Sequence, residues 1–143
     1  MSAPAAVPGG APLWLRVVLW GLAYSVIGLA TAAFSRHAAT ADLQQIWRLA
    51  AWALSAGVFA ASFGDERARA GRAPAPTALR AALPVALGGF VLAAYAMVHS
   101  RVVGSGHLVG HVIALVAWPA MLGVASFLVA WVVAAVLARS RRV

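Results

Sequence analysis

The chain has 143 residues, of which 64% are hydrophobic and only 10% charged, a composition that excludes a water-soluble globular domain because so much apolar surface could not be hidden. The formal charge is +8, every basic residue is an arginine, and cysteine is absent; the last point rules out disulfide staples, thiol redox catalysis and thiolate metal sites. In so apolar a chain the positive charge reads as arginines meeting membrane surfaces, not as a nucleic-acid interface.

Residues 1–11, rich in Ala, Pro and Gly, read as a disordered tail. Four long apolar segments follow, at about 12–35, 46–63, 79–99 and 110–138. Each supplies the roughly 20 mostly apolar residues that carry a helix across a bilayer core. Together they make one transmembrane domain over 12–138, followed by a basic tail at 139–143. Ala30-Thr31-Ala32 has the small-x-small look of a signal-peptide cleavage site. The apolar stretch is longer than the ~7–15 residues of a signal core, and no basic residue precedes Arg16, so the first segment reads as a spanning helix.

Local signals mark the helix ends. Pro12 suits a first turn. Asp42 followed by Gln45 has capping-box spacing ahead of the second segment. Thr77 is placed to cap the third, after the Pro74-Ala75-Pro76 turn. The fourth segment, at 1.5 Å per residue, is about 43 Å long against a core of about 30 Å, so it must tilt, bend or protrude. Pro119 is the expected kink there, and Pro84 the expected kink in the third segment. Trp118 is expected to pack inside the bundle.

Four spans put both termini and the middle loop on one side of the membrane. That side carries Arg16, Arg67, Arg69, Arg72, Arg80, Arg139, Arg141 and Arg142; the other carries Arg36, Arg48 and Arg101. The imbalance places both termini in the cytoplasm. The predicted class is an all-α membrane protein: four transmembrane helices in an antiparallel up-down bundle, in a bacterial inner membrane.

Close helix contact in lipid needs small residues at four-residue spacing. Gly21 and Ser25, then Gly28 and Ala32, provide this on the first helix, Gly57 lies on the second, Gly89 on the third and Gly123 on the fourth. Asp65 and Glu66 fall in the middle loop by this division, where surface ion pairs with Arg67, Arg69 and Arg72 are expected. Arg16, a turn into the first helix, is expected to snorkel to the surface. With these assignments no carboxylate lies at bilayer depth, which argues against a proton-coupled carrier.

All four histidines map to the outward side. His107 and His111 are four apart, so a helix beginning before His107 would set both imidazoles on one face, with His99 a third candidate ligand across the loop. A metal ion, or a haem held by two imidazoles, is the cofactor that such a cluster would take. Arg36 and Arg101 nearby would oppose a cation. No catalytic set can be assembled, so the chain reads as a non-enzyme. The leading reading is an accessory or assembly subunit of a membrane complex, or a homo-oligomer, with the bilayer and other membrane subunits as its partners. A metal- or haem-binding protein is one alternative. A small dimeric transporter or channel for a neutral or lipid-like solute is the other, to which Pro119 and the Gly88-Gly89 pair lend the look of broken helices.

Overall fold

A computed structural model describes residues 11–70, 73–104 and 108–140, and all regular structure among them is helical. The described residues form four helices: α1 (Leu13–Arg36), α2 (Ala41–Ala70), α3 (Pro74–Val103) and α4 (Leu108–Arg139). Each contains a stretch long and apolar enough to cross a membrane, so the protein is an integral membrane protein. The tail at 1–10 and residues 141–143 lie outside the described residues.

The helices run past the apolar segments that nucleate them. α2 extends to Ala70, seven residues beyond the apolar run that ends at Phe63, and so takes Asp65, Glu66, Arg67 and Arg69 into the helix. The reason is local: Asp65 and Arg69 are an i,i+4 pair, their Oδ1 and Nε 2.9 Å apart, and such pairs lengthen helices. The caps differ from the sequence signals too. Thr40, not Asp42, opens α2, its Oγ1 accepting the Leu43 N–H at 3.2 Å. α3 begins at Pro74, whose missing N–H costs nothing in a first turn. Thr77 therefore lies inside the helix, donating its hydroxyl to the Ala73 carbonyl. Gly104 ends α3 in the left-handed conformation, with φ 72°.

The packing inverts that of a soluble protein. The buried apolar residues are mostly alanines, with Ala78, Ala81, Ala130 and Ala134 at the centre, while Trp14, Trp52, Val102 and Met121 lie exposed. Lipid tails solvate large side chains as well as a core would, so only small residues gain by facing another helix. α3 is the hub: it touches all three other helices. α1 and α4 make no contact with each other among the described residues, and α2 meets α4 only slightly.

The α1–α3 seam shows why glycine is needed. Tyr24 lies over Gly88, and a Cβ added at Gly88 would stand 2.6 Å from Tyr24 Cδ1. At Gly21 and Gly28 the same construction meets Leu87 and Leu92, each at 2.9 Å. Ser25 is buried in this seam, its hydroxyl donating to the Gly21 carbonyl at 2.8 Å. On the other side of α3, Gly89 faces Leu122 and Pro119, and Gly123 faces Ala86. Gly57 on α2 faces open space. Pro84 and Pro119 both lie inside continuous helices.

Candidate functional site: a lateral groove and two arginine sites

Because α2 and α4 barely touch, they leave a groove between them with α3 as its floor. Its upper part is a cavity of about 380 Å³ walled by Trp52 and Ser55 from α2, Trp118 and Leu122 from α4, and Tyr24 from α1. A second cavity of about 220 Å³ continues it along α3, sharing Tyr24, Trp52, Ser55 and Leu122. Sequence position explains the opening. Gly89 and Ala93 keep the floor low, and Pro119 occupies the stretch of α4 that faces it. Trp118 does not pack in the interior but stands half exposed at the groove wall, and Trp52 is 75% exposed. The lining is apolar and aromatic; its hydroxyls are those of Tyr24 and Ser55, which hydrogen-bond each other, and of Ser126, which donates to the Leu122 carbonyl at 2.7 Å. Such a surface can hold an apolar molecule and offer it one or two hydrogen bonds.

At the end of the bundle where α1 begins and α2 finishes, Asp65 pairs with Arg69 as the sequence leads one to expect, but Glu66 does not pair with its neighbours. Glu66 is not a surface residue: it is 2% exposed and faces α1. Arg16 clasps it from the first turn of α1. Its Nε donates to Glu66 Oε1 at 2.9 Å, and the adjacent terminal nitrogen lies 2.8 Å from the same oxygen and 3.1 Å from Oε2. The other terminal nitrogen donates to the Ala11 carbonyl at 3.0 Å. Asp65 Oδ2 stands 3.8 Å from Arg16 Nε, while Oδ1 holds Arg69. Two carboxylates and two guanidiniums thus neutralise one another, with bidentate geometry at the buried pair. Ser62, one turn earlier on α2, is also buried, and its hydroxyl has no hydrogen-bond partner among the described residues.

At the opposite end of the same two helices lies a third cavity of about 430 Å³, walled by Thr31, Ser35 and Arg36 from α1 and by Gln44, Trp47 and Arg48 from α2. Phe34 stacks on Trp47 beside it, ring centres 4.7 Å apart. No carboxylate lines it, and neither Arg36 nor Arg48 forms an ion pair among the described residues. It adjoins the groove, since Ala51 and Trp52 line both.

The histidines are dispersed. His37 ends α1, its N–H donating to the Ala33 carbonyl. His99 stacks on Tyr95 of its own helix, ring centres 5.8 Å apart. His111 lies half-buried in the first turn of α4, and His107 is outside the described residues. Among the described residues no three His, Asp or Glu side chains come together as a metal site would require. Sequence reasoning missed Glu66, Arg16, Trp52 and Ser55 as site residues. The first pair left a signal in the i,i+4 spacing that carries α2 past Phe63, whereas the second left none above the general apolar pattern. No family model, curated protein or solved structure matches the chain.

Proposed function

We propose that this protein is a non-catalytic membrane protein that holds a neutral or lipid-like molecule in the groove between α2 and α4, as a small carrier does. The groove is the observation that carries the reading. Only molecules already in the bilayer have free access to a cleft on the lipid-facing side of a bundle. Its aromatic walls and few hydroxyls suit an apolar chain bearing a single polar group. The proposed setting is an up-down antiparallel bundle in a bacterial inner membrane, with both termini cytoplasmic. The contact of Arg16 with Glu66 at one end of α1, and of Phe34 with Trp47 at the other, supports the opposed direction of the first two helices. The arginine imbalance supports the orientation.

The test is lipid analysis of protein extracted in mild detergent, beside the variants Trp118→Ala and Ser55→Ala. A molecule retained by the wild-type protein and lost from both variants is the expected result. Equal retention by all three would refute the reading. A second reading, an accessory subunit or a homo-oligomer, is favoured by the exposed Trp52 face of α2, which a helix from another subunit could cover. Co-purification of a stoichiometric protein, or a dimer that Trp52→Ala breaks, would decide for it.

A further inference from the structure

We propose that the cavity between the end of α1 and the start of α2 is a binding site for a phosphate-type anion, met either on the headgroup of an anionic phospholipid or as free phosphate. Placing that lipid's tail in the groove rests on the reading given above; the anion site itself does not.

Three observations converge. The first is charge. Arg36 and Arg48 both line the cavity and both are exposed, and among the described residues no carboxylate lines it and neither arginine has an ion-pair partner. Arg48 is the eighth residue of α2 and the third of the apolar run that begins at Ile46, a place where a membrane arginine either stretches to the surface or finds an anion. The second is ligand chemistry. Ser35, Gln44 and Thr31 add hydroxyl and amide groups around the guanidiniums, and arginine's planar fork matches phosphate oxygens two at a time. The third is the contrast with Arg16 on the same pair of helices. There the chain supplies its own buried carboxylate; here it leaves the cations for something outside itself. The volume of about 430 Å³ accommodates a phosphodiester headgroup with water, and Ala51 and Trp52 join the cavity to the apolar groove.

The experiment uses the full chain in a phosphate-free neutral detergent, with bound molecules counted by native mass spectrometry and binding followed by the change in tryptophan fluorescence that Trp47→Phe removes. Three probes are added in turn: phosphatidylglycerol, diacylglycerol with the same tails, and inorganic phosphate. We expect phosphatidylglycerol to bind at least ten times more tightly than diacylglycerol, and the Arg36→Gln, Arg48→Gln double variant to abolish the difference. The corresponding Lys double variant, which keeps the charge, should retain part of it and guards against misfolding of the first. Inorganic phosphate binding as tightly as the lipid, with the same arginine dependence, would support the site and make the soluble anion its source. Phosphatidylglycerol binding equally to wild type and the Gln variant, or failure of both phosphate probes, overturns it. Failure of the groove reading is separable: Trp118→Ala would then leave binding of both lipids unchanged while the arginine dependence persisted.

Discussion

The two ends of the α1–α2 pair treat the same chemical problem in opposite ways. At one end Arg16 is enclosed by Glu66, with Asp65 and Arg69 completing a neutral set. At the other, Arg36 and Arg48 line a cavity that contains no acid. A charge in a membrane protein must be hydrated, paired or drawn to the surface. Where the chain provides the partner, the charge helps to specify the fold; where it does not, the charge is available to a ligand. Two arginine pairs on the same two helices thus differ in whether the chain itself supplies the counter-charge.

The largest effect should come from breaking the enclosed pair. Glu66→Ala leaves Arg16 facing a buried gap and should cost about 3–5 kcal/mol, read as a lowered melting temperature in detergent. Exchanging the charges, Arg16→Glu with Glu66→Arg, should recover part of the loss. A Glu66→Ala protein as stable as the wild type would erase the contrast between the two ends. Gly88→Ala comes next. Its new methyl would lie against the Tyr24 ring, which must move, at about 1–3 kcal/mol. That movement pushes Tyr24 toward the groove, so lipid retention should fall together with stability. Gly57→Ala, which meets no atom, should instead raise stability by up to about 1 kcal/mol through helix propensity alone. The smallest effect sharpens the comparison most. Arg36→Gln with Arg48→Gln should change stability in neutral detergent by no more than about 0.5 kcal/mol. Adding phosphatidylglycerol should then stabilise the wild-type protein and not the variant, as measured by paired melting curves.

The four spans were legible because composition and length determine them without tertiary information. Helix ends were less so. Asp65 to Arg69 looks like a polar loop when charge is counted, yet its spacing is helical, and the structure follows the spacing. The Arg16–Glu66 pair joins residues 50 positions apart in sequence. The Asp65–Arg69 spacing signals that α2 continues through Glu66, but no local pattern announces that its partner is Arg16. The groove was illegible for a different reason. It arises from how far α2 leans from α4, and in a chain so rich in alanine many faces could have served as the contact. Gly21, Gly28 and Gly89 sit where helices meet, while Gly57, with equal claim by spacing, faces open space. The histidines show the limit of counting by side: His99, stacked on Tyr95, and His111, on α4, share an end of the molecule without forming a trio with any described residue.

The enclosed pair also bears on how the chain is made. Arg16 leaves the ribosome well before Glu66, so α1 meets the insertion machinery with a guanidinium that has no counter-ion. Its cost is met by the nearby interface until α2 arrives and supplies the carboxylate. The Arg16–Glu66 contact then ties the first two helices into a hairpin. Translation arrested before residue 66 should leave α1 shallow and easily extracted, whereas arrest after α2 has cleared the ribosome should leave both helices locked in place.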